Sequence, residues 1–191
     1  MDRIAPLCSR LLATEPIWFA ADSPCAQRVP PYVQDWLAES SSLTARLNAI
    51  AGPVQVEVLH QEWDRPFAGE AMRLKLLPGE RVWTREVVLT GQGERLLLAR
   101  TVVPAVTMAS VGEEFPRLGN RPLGELLFCR PDVRRIVTEW TCLNPTYWLA
   151  WPKPPPRWGR RTLYRIAESP LLVSEFFLPA VFALGSCNGL R

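Results

Sequence analysis

The chain carries a single histidine, His60, and its five cysteines (Cys8, Cys25, Cys129, Cys142 and Cys187) include no C-x-x-C pair. That ligand supply and spacing argue against a structural zinc site and for reduced thiols in the cytoplasm. Charge of one sign is also scarce. Twenty-two basic against 19 acidic residues leave +3, too little for sequence-independent phosphate binding to be the main activity, so nucleic acid is not an expected partner. No long apolar run is present. The most apolar stretch, Leu171 to Cys187, is interrupted by Ser174, Glu175 and Pro179 and is shorter than the roughly 20 apolar residues a spanning helix needs, so no membrane insertion is expected. Met1 to Ala20 has Asp2, Arg3, Arg10 and Glu15 scattered through it, unlike an export signal. There is no Gly-rich phosphate loop, no G-x-S-x-G elbow, no H-E-x-x-H helix and no internal repeat, which removes the corresponding nucleotide, hydrolase and metalloprotease readings.

What remains is a chain of 191 residues, 48% hydrophobic and 21% charged. Such a chain fits one domain with a real core and an internal cavity, burying roughly 70% of its unfolded surface. Nineteen prolines and eight tryptophans favour sheet and rigid turns over a helical bundle. Residues 1–30 contain Pro6, Pro16, Pro24 and Pro30 without a sustained period and read as an irregular arm that packs through Trp18 and Phe19. Residues 31–191 read as the domain proper. Val33, Trp36, Leu37, Leu43, Leu47 and Ile50 fall near helical spacing between Pro31 and Gly52, with Ser40 to Ser42 able to cap a second piece. Strands are predicted at Val54 to Val58, Arg81 to Thr90, Arg95 to Val103, Arg134 to Cys142, Arg160 to Ala167 and Leu171 to Leu178. Gly119-Asn120-Arg121-Pro122 opens a short helix with Pro122 at its first position, and Asn144 to Trp158 is a Pro/Trp-rich loop. The sum is an α+β domain: about six antiparallel strands in hairpin order, with helices covering an internal ligand cavity.

The central hairpin carries the most informative chemistry. If its turn closes with Gly91 opposite Glu94, Arg85 lies directly opposite Arg100, and two guanidinium groups share one face with Trp83, Val87, Leu98 and Val102. Like charges so placed require an anion, and a ligand with two carboxylates supplies it. The bland alternatives are that each arginine pairs with a protein carboxylate, or that a different turn shifts the register and sends one of them to solvent. On the last strand Glu175 shares a face with Leu171, Val173 and Phe177, either as a salt-bridge partner of those arginines or as a polar anchor in the cavity. The backbone N–H of Leu123, at the start of the short helix, is free to bind an anion. His60, followed by Gln61 and Glu62, reads as a surface or satisfied histidine rather than a catalytic one.

These positions also carry a resemblance. Trp83 to Leu89 (W-T-R-E-V-V-L), Ala99 to Pro104 (A-R-T-V-V-P), Leu118 to Phe128 (L-G-N-R-P-L-G-E-L-L-F), Trp158 to Arg161 (W-G-R-R) and Pro170 to Pro179 (P-L-L-V-S-E-F-F-L-P) resemble the chorismate pyruvate-lyase family, from about Trp36 onward. The resemblance implies a cytoplasmic, cofactor-independent and metal-free enzyme, taken as a monomer. It would convert chorismate to 4-hydroxybenzoate and pyruvate, the first committed step toward ubiquinone. It implies that Arg85 and the backbone N–H of Leu123 hold the ring carboxylate, that Glu175 meets the 4-hydroxyl group, and that Leu43, where family members often carry methionine, walls the cavity. Arg100 is then expected to bind the enolpyruvyl carboxylate and, with Glu175, to act in catalysis. The rival reading is a non-catalytic sensor-type domain of the same fold that binds small aromatic carboxylates. A regulator of that kind needs a DNA-binding domain, which residues 1–30 are not expected to form.

Overall fold

All six expected strands are present in one antiparallel sheet of seven. The structure, a computed structural model, describes residues 8–111, 114–149 and 154–187. The strands are β1 (Phe19–Ala20), β2 (Gln55–Asp64), β3 (Val82–Gly91), β4 (Glu94–Pro104), β5 (Val133–Cys142), β6 (Trp158–Ile166) and β7 (Ser169–Phe177). Their order is β1-β5-β6-β7-β4-β3-β2. The seventh strand is the two-residue β1, with which the arm pairs Phe19 to Trp140 at one edge. The arm also docks through Trp18, which lies against Phe176 and under the Arg161 guanidinium.

The β3–β4 and β6–β7 hairpins both turn on two residues with positive φ, Gln92-Gly93 and Ala167-Glu168. That conformation matches the right-handed twist of the flanking strands. Beyond the first turn, however, the register slips. Thr90 pairs with Arg95 but Leu89 pairs with Leu97, so Leu96 is an extra residue in β4. The consecutive Leu96 and Leu97 both join the same hydrophobic cluster, as a β-bulge allows and a regular strand does not. Every later residue of β4 therefore exchanges faces relative to the expected register: Arg100 lies opposite Glu86, and Arg85 lies opposite Thr101.

Both faces of the sheet are covered. On one side α1 (Pro31–Leu37), α2 (Leu43–Ala51) and α6 (Pro179–Cys187) close over Val87, Leu89, Leu97, Trp140 and Phe177. The Ser42 hydroxyl caps α2 by accepting from the Ala45 N–H at 3.2 Å, as its place before Leu43 predicts. The helix α5 (Leu123–Phe128) joins this side, with Pro122 as its cap residue rather than its first turn. On the other side, residues Ser9 to Leu12 and α3 (Ala68–Leu74) lie against the sheet. The short α4 (Ala105–Val111) follows β4. Helices α3, α4 and α6 are absent from the sequence reading. The seven-residue α3 buries Glu70 and Leu74, which leaves no apolar stripe to read.

Gly159, opposite Phe176 in the β6–β7 ladder, has no room for a side chain. A Cβ there would stand 2.7 Å from the Phe176 ring, 3.0 Å from the Glu175 carbonyl and 3.1 Å from Thr141. Gly159→Ala is therefore expected to lose about 1–3 kcal/mol by overpacking, readable as a lowered midpoint in urea unfolding.

Candidate active site

Between the sheet and the starts of α2 and α5 lies a cavity, with about 580 Å³ of space between its walls, part of it shared with solvent at the mouth. Its walls are apolar: Leu43, Val56, Val87, Leu89, Leu97 and Val173, with Leu123 and Leu127 from α5. Its polar groups are few. Arg85 enters from β3, Glu175 from β7 and Arg160 and Tyr164 from β6. A concave, mostly apolar site with a small set of convergent polar groups is the usual form of a small-molecule site.

Arg85 is 3% exposed. Its Nη2 donates to the carbonyls of Gly119 (2.8 Å) and Arg121 (3.1 Å), in the turn that leads into α5, where Gly119 takes a positive φ of 53°. The same turn thus orients the guanidinium and brings Leu123, at the start of α5, to the cavity wall. Its Nε is buried without a partner, and no carboxylate pairs with it among the described residues. Burial pushes its pKa down to about 10. An unpaired buried cation beside an apolar pocket is a site waiting for an anion.

Glu175 lies two strands away. Its row runs Val87, Ala99, Glu175, Arg160 across β3, β4, β7 and β6, while Arg85 belongs to the row of Thr101 and Val173. At about 4.8 Å per strand and about 7 Å per same-face step, the two Cα atoms are about 12 Å apart, with side chains standing on the same face. That separation admits one aromatic ring carrying polar groups at opposite ends. The small side chain of Ala99 keeps the space beside Glu175 open.

Arg160 is the cavity residue that sequence reasoning missed. Its Nε donates to Glu175 Oε2 at 2.6 Å, and its Nη1 donates to the Glu39 carbonyl at 2.6 Å. Burial works against this cation, but the charge and hydrogen bond of Glu175 outweigh it and hold its pKa above the ordinary arginine value. The available signal was the β6–β7 turn: with a two-residue loop at Ala167-Glu168, Arg160 falls opposite Glu175. Tyr164 is held above its usual phenol range, first by burial and then by the charge of Glu175.

Arg100 corrects the expectation placed on it. The bulge at Leu96 turns it to the opposite face of the sheet, where it is fully buried and does not line the cavity. There it donates to Glu70 (2.7 and 3.0 Å) and to Glu86 (2.8 Å). Glu86 in turn accepts from the Ser9 hydroxyl at 2.5 Å and the Arg10 N–H at 2.7 Å, and Glu70 accepts from the Phe67 N–H at 2.9 Å. This network pins the N-terminal segment and α3 to the sheet. The cavity therefore brings together Leu43, Arg85, Leu123 and Glu175, and excludes Arg100. His60 likewise lies outside it, its ring nitrogens 3.4 and 3.2 Å from the carboxylates of Glu62 and Asp64. These three side chains could hold a cation, but the histidine already bridges both carboxylates.

Fold and cavity together define a class: a one-sheet α+β domain with an apolar cavity into which a buried guanidinium and a carboxylate project. Solved structures share the fold. The effector domain of PhnF from Mycobacterium smegmatis matches with a TM-score of 0.52 at 16% identity, covering 73% of this chain and 90% of that one. The family follows from sequence. The chorismate lyase family model matches residues 12–185, and the chain belongs to that family. It is similar to proteins named probable chorismate pyruvate-lyase from Methylococcus capsulatus (44% identical over 158 residues, 80% of this chain and 98% of the relative) and Halorhodospira halophila (42% over 159 residues, 80% and 84%). It is also similar to the chorismate pyruvate-lyase of Pectobacterium atrosepticum (32% over 151 residues, 79% of each). Among the described residues no helix is long and apolar enough to cross a membrane.

Proposed function

We propose that this protein is a chorismate pyruvate-lyase, eliminating pyruvate from chorismate to leave 4-hydroxybenzoate for ubiquinone synthesis, and that it works in the cytoplasm as a monomer. The observation that carries the reading is Arg85, a buried cation with no carboxylate partner among the described residues, its Cα about 12 Å from that of Glu175 across an apolar cavity. A ring with a carboxylate at one end and a hydroxyl at the other satisfies both. Arg85 and the Leu123 N–H take the ring carboxylate, Glu175 accepts from the hydroxyl, and Leu43 packs on the ring.

The chemistry asks little more of the protein. In chorismate the hydrogen on C4 lies on the same face as the enolpyruvyl ether at C3. Transfer of that hydrogen to the ether's terminal methylene breaks C4–H and C3–O, turns the methylene into the methyl group of pyruvate, and makes the ring aromatic. Atoms balance without an external acid or base. The protein's part is to hold the reactive conformer and exclude water. With Arg100 on the far face of the sheet, the ring carboxylate is the anion that the cavity's unpaired cation holds.

Incubation with chorismate should release 4-hydroxybenzoate and pyruvate in equal amounts, and release of neither would refute the reading. Because the planar product keeps the contacts to Arg85, Leu123 and Glu175, it should also compete with chorismate. Initial rates should fall as 4-hydroxybenzoate is added in the micromolar to millimolar range, and no inhibition up to that range would count against a shared site.

A further inference from the structure

We propose that Arg160 is the positioning residue of this site: it fixes the Glu175 carboxylate for the ligand's ring hydroxyl and ties that carboxylate to the linker between α1 and α2. The inference rests on the lyase reading for its substrate but on the geometry for its role. Arg160 is 1% exposed, and its donors are divided between two targets. Nε holds Glu175 Oε2 at 2.6 Å, while Nη1 reaches the carbonyls of Glu39 at 2.6 Å and Leu37 at 3.4 Å.

Those carbonyls lie at the end of α1, where a helix leaves acceptors without intrahelical partners. Arg160 therefore caps α1 and orients Glu175 with one rigid, planar group. Arg135 strengthens the anchor by donating to the same Glu39 carbonyl at 2.9 Å and to the Tyr164 hydroxyl at 3.3 Å. On its outer side Glu39 is fixed too, its carboxylate accepting from the Ser41 N–H, the Ser41 hydroxyl and Arg46. The linker so held leads directly into Ser42, Leu43 and Thr44, and Leu43 and Thr44 wall the cavity. Glu175 cannot rotate away from the ligand without giving up a hydrogen bond to a guanidinium that is itself immobilised at the helix end. One Glu175 oxygen is thus committed to Arg160 and the other is left to accept the hydroxyl.

The test compares 4-hydroxybenzoate with benzoate, which lacks only the hydroxyl. The wild-type protein is expected to bind 4-hydroxybenzoate about tenfold or more tightly, the usual scale for a hydrogen bond to a charged acceptor. Arg160→Gln should bring that ratio to within about twofold of one while the Kd for benzoate, held by Arg85, changes less than about threefold. For chorismate, kcat should fall about 30-fold or more with KM changing less than about threefold, and Arg160→Lys should recover part of kcat.

Because Arg160→Gln leaves a partly buried carboxylate unpaired, the same comparison is made between Glu175→Gln and the Glu175→Gln/Arg160→Gln pair, both free of that charge. Residues acting as a unit should show a further loss of kcat under about threefold in the pair. A wild-type preference near one would overturn the proposal. So would an unchanged preference in folded Arg160 variants, equal weakening of both ligands, or additive losses in the pair. A wild-type protein that prefers 4-hydroxybenzoate tenfold but does not consume chorismate would refute the lyase reading and leave Arg160's role standing.

Discussion

Arg85→Ala is expected to lower kcat/KM for chorismate by about a thousandfold while the protein stays folded. The loss follows from removing one partner of a desolvated charge pair with the ligand carboxylate, which typically costs about 2–5 kcal/mol. A thousandfold is about 4 kcal/mol at 1.36 kcal/mol per decade. Stability should barely change. Among the described residues Arg85 is buried with a free Nε and no ionic partner, and burial has already pushed its pKa down to about 10, so the unliganded fold bears the guanidinium rather than depending on it. A shift of no more than about 4 °C in the thermal midpoint corresponds to about 1 kcal/mol for a domain of this size. Steady-state kinetics beside a thermal melt check both halves, and a variant that melts far below the wild type, or keeps its kcat/KM, would contradict them.

The second large effect has the opposite character. Arg100→Met should lose about 3–5 kcal/mol of stability, because it strands Glu70 and Glu86, both buried, without their shared cation. Against a total of about 5–15 kcal/mol, that places the variant near the edge of unfolding. Neutralising all three positions, as in Arg100→Met with Glu70→Gln and Glu86→Gln, should recover much of the loss, since no uncompensated charge then remains. Where the folded fraction is measured, turnover per folded molecule should remain within a few-fold of wild type. Chemical denaturation with an activity assay on the same samples distinguishes this from a catalytic role, for which activity would fall with stability intact.

These two arginines show how far the sequence could be read. Val56, Val87, Leu89 and Val173 alternate along β-branched and leucine-rich runs, so the six main strands and the cavity-side face of β3 and β7 were legible, and with them Arg85 and Glu175. The turn at Gln92-Gly93 was legible too, because glycine and its neighbour tolerate the positive φ it needs. The bulge at Leu96 was not. Leu96, Leu97 and Leu98 are identical in chemistry, so nothing in the sequence marks which one is the extra residue, and a one-residue slip exchanges the faces of everything beyond it. That slip moved Arg100 from the expected cavity into a network whose partners, Glu70 and Glu86, are separated from it by 30 and 14 residues. Arg160 was hidden for a related reason. Its role depends on the Glu39 carbonyl, 121 residues away, and on a two-residue turn at Ala167-Glu168, whereas the strands expected from sequence end at Ala167 and resume only at Leu171. Helix α3 escaped because its buried face is formed by Glu70 as much as by Leu74.

The central claim is that one aromatic ring spans the cavity from Arg85 to Glu175, and the crystal structure of the complex with 4-hydroxybenzoate tests it most directly. The expected result has the carboxylate on the Arg85 guanidinium and the Leu123 N–H, the ring against Leu43, and the hydroxyl donating to the Glu175 oxygen that Arg160 leaves free. A ligand bound with its hydroxyl toward Arg85, or bound outside this cavity, would contradict the account.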